Sequence, residues 1–75
     1  MSKLKMVSGQ ETIAALKRLG FVEIRQRGSH VILKKQTPAE TTGCVVPLHK
    51  ELAIGTLKGV LRQAKVTLEE FLENL

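Results

Sequence analysis

FVEIRQRGSHVILKK, residues 21–35, is the stretch whose reading decides the fold. FVEIRQ alternates and is rich in β-branched side chains, so it reads as a strand. Gly28 and Ser29 supply a turn, and HVILKK is the second strand of the same hairpin. Strand side chains point alternately to opposite faces. Val22 and Ile24 therefore share one face of the first strand, opposite Glu23 and Arg25. In the second strand Val31 and Leu33 share a face, opposite His30, Ile32 and Lys34. The more apolar set, Val22, Ile24, Val31 and Leu33, is expected beneath a covering layer. His30 then falls on the open face near the turn, with Lys34 on the same side and Arg25 and Arg27 as cross-strand neighbours.

The flanking segments supply that covering layer. Upstream, Ser8 is followed three residues later by Glu11, the capping-box pattern. Ile13, Leu16 and Leu19, with Ala14 or Ala15, then form an apolar stripe at helical spacing, and Gly20 stops the helix, placing it at about residues 9–19. Downstream, QTPAETTG is a loop and CVVPL a third strand, with Pro47 near its end or on a sheet edge. After the connector HKELAIG, the residues Leu57, Val60, Leu61 and Ala64 repeat at i, i+3, i+4 and i+7. Gly59 lies inside this second helix and costs it about 1 kcal/mol against alanine. Thr67 and Glu70 form another capping box and start a short last helix. The order helix, three strands, helix, short helix makes an α+β two-layer sandwich over a single domain, residues 1–75. It resembles the double-stranded-RNA-binding domain.

Composition narrows the function classes. Apolar residues make up 43% of the chain, too many for a disordered tail. Phe21 and Phe71 are the only aromatic residues, which argues against a base-stacking surface. Twelve Lys and Arg stand against seven Asp and Glu, a net charge of +5. Residues 24–36 contain Arg25, Arg27, Lys34, Lys35 and His30, and no acid. That field favours a polyanion or an acidic protein partner. Cys44 is the sole cysteine, so an internal disulfide is impossible; it reads as a small buried hydrophobe in a reducing compartment. One cysteine and two histidines do not make a metal site, and no metal or other cofactor is expected. The opening residues MSKLKMV do not read as a signal peptide, no stretch is apolar enough for a membrane span, and a cytoplasmic location is expected.

The chemistry centres on His30. Imidazole both gives and takes a proton near neutral pH. RNA carries its own nucleophile, the 2′-hydroxyl, and its cleavage needs that hydroxyl deprotonated, the phosphate charge stabilised and the 5′-oxygen protonated. His30 is the candidate for proton transfer, with Arg25, Arg27, Lys34 and Lys35 holding the backbone. Ser29 is a further candidate phosphate donor, and equally a plain turn residue. By spacing alone, a single histidine on a solvated strand face reads first as a tolerated polar residue. His49 stays open between a second acid/base group and a hydrogen bonder in the connector. A non-catalytic RNA-binding module is the alternative, because double-stranded RNA is read largely by shape and backbone. A pure protein-interaction role, as the basic half of a pair, is a third.

GSH at 28–30, VPLHKELAIGTLKGVLRQA at 46–64 and VTLEEFLENL at 66–75 resemble the HicA toxins of bacterial and archaeal toxin–antitoxin pairs, over about Val7 to Leu75. The resemblance implies the double-stranded-RNA-binding-like fold, ribosome-independent cleavage of mRNA, and a catalytic histidine that maps onto His30. It also implies a HicB-like antitoxin that covers the active face and carries any DNA-binding segment, so that direct DNA binding by this chain is not expected. Many relatives have a polar or aromatic residue directly after the motif histidine, where this chain has Val31.

Overall fold

The computed structural model of the chain describes residues 6–75. The reading of the opening residues falls mostly on positions 1–5, outside the described part. The order is α1 (Gly9–Arg18), β1 (Val22–Arg27), β2 (His30–Gln36), β3 (Thr41–Pro47), α2 (Ile54–Ala64) and α3 (Leu68–Glu73). The strands form one antiparallel sheet in the order β1-β2-β3. The helical residues pack with one face of that sheet in a single core, which gives an α+β fold.

Local chemistry sets each element. At the start of α1 the Ser8 hydroxyl accepts from the Glu11 amide at 2.9 Å, and the Glu11 carboxylate accepts from the Ser8 amide at 2.8 Å. Its end is closed by Gly20 at φ +103°, with the Gly20 amide donating to the Lys17 carbonyl and the Phe21 amide to the Leu16 carbonyl, both at 3.0 Å. Thr67 and Glu70 repeat the capping box before α3. In the hairpin, Gly28 takes φ +58° and Ser29 does not go positive, the pattern of a type II′ turn whose twist suits the flanking strands.

The core joins Val31 and Leu33 of β2 and Cys44 and Val46 of β3 to Ile13, Ala15 and Leu16 of α1, to Leu57, Val60, Leu61 and Ala64 of α2 and to Phe71 of α3. Burial pushes the Cys44 thiol up to about 11, as desolvation penalises the thiolate. The outer edge of β3 is covered, because the Val45 amide donates to the side-chain carbonyl of Gln63 on α2 at 3.0 Å.

Two expectations need correction. Val22 and Ile24 do not lie under the helices: all of β1 is exposed, with these two residues at 60% and 51%. The register shifts between Glu23 and Arg25, so Ile24 is an extra residue that breaks the alternation. Glu23 pairs with Leu33 on the helix side, where its carboxylate lies 3.5 Å from Lys17 of α1, and Val22 pairs with Lys34 on the open side. The third strand also starts earlier than expected. Gln36 extends β2 by one residue, and Lys35 and Gln36 pair with Thr42 and Thr41, leaving only residues 37–40 as the loop.

The start of α1 is fastened to the end of β3. The Gly9 amide donates to the His49 carbonyl at 2.8 Å, and the Leu52 amide to the Val7 carbonyl at 2.7 Å. A Cβ on Gly9 would stand 2.1 Å from the Pro47 carbonyl oxygen, whereas one on Gly59 meets nothing within 4 Å. Gly9→Ala is therefore expected to destabilise the fold by about 1–3 kcal/mol. Gly59→Ala is expected to stabilise it by about 1 kcal/mol. Thermal unfolding checks both, at about 4–8 °C per kcal/mol in a domain of this size. The Cys44 thiol is expected to react with a disulfide reagent only as fast as the fold opens, giving a labelling rate that rises steeply with denaturant.

Candidate nucleic-acid interface

The open side of the sheet is a lattice fixed by register. Directly paired residues share a face, so three rows run across β1, β2 and β3 there: Arg27, His30 and Pro47; Arg25, Ile32 and Val45; and Val22, Lys34 and Gly43. Directly opposed side chains start with their Cβ atoms about 4.5–5.5 Å apart. His30 thus stands in the first row from the turn, between the guanidinium-bearing Arg27 and the rigid ring of Pro47. It is exposed, and so are Arg25, Arg27 and Lys34.

The turn that carries His30 is braced from two directions. The Ser29 carbonyl accepts from the Leu48 amide at 2.7 Å, which ties the hairpin to the end of β3. The Gly28 carbonyl accepts from the Gln26 side-chain amide at 2.9 Å. Ser29 is exposed in this turn, beside His30.

Lys35 does not join the others. It follows Val31 and Leu33 in the alternation of β2 and pairs with Thr42, so it lies on the helix side of the sheet. Its ammonium sits 6.0 Å from the centre of the Phe21 ring, and its stem runs along Gly20. Lys35 therefore stands apart from Arg25, Arg27 and Lys34, on the opposite side of the sheet. His49 is exposed beyond β3, and its carbonyl holds the first amide of α1.

The face holds members that sequence reasoning did not assign to it. Pro47 opposite His30, and Val22 and Val45 in the rows that contain Lys34 and Ile32, follow from the pairing register alone. Pro47 was legible as a strand-end residue, but its partner was not. Three fixed positive charges with no acid in the three rows make a surface that attracts polyanions.

No curated protein matches the chain at a significant level. The family model described as the HicA toxin of bacterial toxin–antitoxin systems matches residues 9–66 of the 75-residue chain. The matched stretch takes in α1, the whole sheet and α2, and ends before α3. The chain belongs to the HicA toxin family.

Proposed function

We propose that this toxin is an endoribonuclease that cuts mRNA in the cytoplasm, with His30 as its general acid/base and with no metal in the reaction. The observation that carries the reading is the first row of the open face. A side chain able to move a proton near neutral pH stands in solvent, directly across the strand pair from a permanent cation, Arg27. Arg25 and Lys34 extend the positive charge along the same face.

In the proposed reaction an RNA chain lies across these rows. The 2′-oxygen loses its proton and forms a bond to phosphorus. The bond from phosphorus to the 5′-oxygen breaks, and that oxygen takes up a proton. The products are a 2′,3′-cyclic phosphate and a free 5′-hydroxyl. His30 accepts the first proton or supplies the second. Arg27 and Arg25 stabilise the charge that gathers on the phosphoryl oxygens, as fixed donors aimed at a developing anion do. Lys34 contributes a backbone phosphate contact, and Ser29 a hydroxyl beside the turn. Lys35, on the other side of the sheet, takes no part.

Membership of the family implies pairing with an antitoxin. We further propose that this antitoxin is HicB-like, presents acidic residues to the same face and silences the enzyme by covering His30.

On purified RNA, His30→Ala is expected to lower the cleavage rate by about 100-fold or more, with an unchanged circular dichroism spectrum because the side chain is exposed. Cleavage at the parental rate would remove His30 from the mechanism. RNA binding without cleavage by the parent chain would make it a binding module instead. Arg27→Ala is expected to weaken binding and to reduce the slope of affinity against salt by about 1, while Lys35→Ala leaves both unchanged.

A further inference from the structure

The helix layer carries a second feature, remote in kind from the cationic face. A groove of about 820 Å³ runs among α1, the segment before α2, and α3. Its walls include Ile54, Leu68, Leu72 and Leu75, all large apolar residues left exposed. Three of these form a stripe on the short last helix and its end. Leu68, Leu72 and Leu75 recur at i, i+4 and i+7, while Phe71 turns into the core and is fully buried. The stripe at 68, 72 and 75 is therefore surplus to what anchors α3. α3 also lies beyond residues 9–66, which the family model matches.

The wall contributed by α1 has a particular order of charge. Glu11, Ala14 and Arg18 line the groove at i, i+3 and i+7. They share one side of the helix, with the two charges about 10 Å apart along the axis. Both charges are already held in place. The Glu11 carboxylate accepts from the Ser8 amide at 2.8 Å, and the Arg18 guanidinium donates to the Asn74 carbonyl at 2.7 Å. Such a row reads acid, small residue, base. Rotated by a two-fold axis through Ala14, it reads base, small residue, acid, so it is complementary to itself. Ala14 at the centre lets two helices approach closely.

We propose that this groove is the interface of a symmetric dimer of the chain. In it α1 packs antiparallel against α1 of the second copy, Glu11 faces the second copy's Arg18, and the leucines at 68, 72 and 75 close over the two-fold axis. Charge separates this surface from the open sheet face. Two copies repel each other there, since Arg25, Arg27 and Lys34 have no acid among them. In the helix-layer groove each copy offers both signs, with Glu51 and Lys50 also on the lining. The dimer so formed is a weak one that leaves both His30 faces free. The proposal stands apart from the ribonuclease reading, and either fails without the other.

Sedimentation velocity on the full chain, over about 1 µM to 1 mM, tests it. The weight-average mass is expected to rise from monomer towards dimer within that range, and Leu72→Glu is expected to hold it at monomer. The decisive experiment is a mixture. Arg18→Glu alone places acid against acid across the axis, and Glu11→Arg alone places base against base, so each is expected to stay monomeric. Mixed in equal amounts they restore both pairs, and a heterodimer is expected. Circular dichroism and thermal unfolding verify that each variant is folded. A parent that stays monomeric throughout overturns the proposal, as does a mixture that sediments like its components. If the parent is monomeric but Leu72→Glu loses binding to the antitoxin, the groove belongs to that partner and the dimer is likewise overturned.

Discussion

Burial of Val31 and Leu33 is the constraint on which the exposed side of the molecule depends. Both sit in the central strand, at 2% and 0% exposure, and both are gripped by helices from one side. The side-chain period of a strand is two, so these positions leave His30, Ile32 and Lys34 no choice of face. A slip of one residue would drive Lys34 and His30 into the core and put the aliphatic pair in water. Each of those aliphatic side chains is worth about 1.5–3 kcal/mol when buried. The imidazole is thus held in solvent by the core packing of Val31 and Leu33, not by interactions of its own. A site built this way tolerates changes at its exposed members without losing the fold.

Register then turns exposure into a constellation. Pairing of β2 with β1 and β3 places Arg27 and Pro47 on either side of His30, and the type II′ turn at Gly28 and Ser29 fixes the register on one side. The tie from Leu48 to the Ser29 carbonyl locks the same turn to β3. Gly9 serves the same end from a distance, because only a residue without a side chain lets α1 close against the Pro47 carbonyl. Fold and candidate site share their fastenings at this corner of the sheet.

Much of this was legible before any coordinates. The capping boxes at Ser8 and Thr67, the spacing of Leu57, Val60, Leu61 and Ala64, and the alternation of β2 each rest on local chemistry, and each matches the structure. The errors fall where a local pattern was overruled by pairing. β1 alternates in sequence, but the extra residue at Ile24 breaks the alternation in space and turns Val22 to the open face; nothing in FVEIRQ announces a bulge. Lys35 looked like one cation among several because it is next to Lys34, and adjacency along a strand means opposite faces. Thr41, Thr42 and Gly43 read as loop until β2 was seen to run on to Gln36 and offer them a partner. His30 and its neighbours Arg25, Arg27 and Lys34 were placed on one face by alternation; that Arg27 stands directly opposite His30 became clear only with the register.

The cationic face and the apolar groove lie on different layers, so a second copy seated in the groove leaves free the face proposed for RNA and for the antitoxin that masks it. The claim beneath the proposed enzyme is that RNA lies along the rows that contain His30. Titrating a fully 2′-O-methylated RNA, which lacks the nucleophile, into isotope-labelled chain and following amide and imidazole resonances tests this directly. Shifts centred on His30, Arg25, Arg27 and Lys34, with the helix layer silent, are the predicted result. Shifts confined to α1 and α3, with the His30 imidazole unmoved, would contradict it.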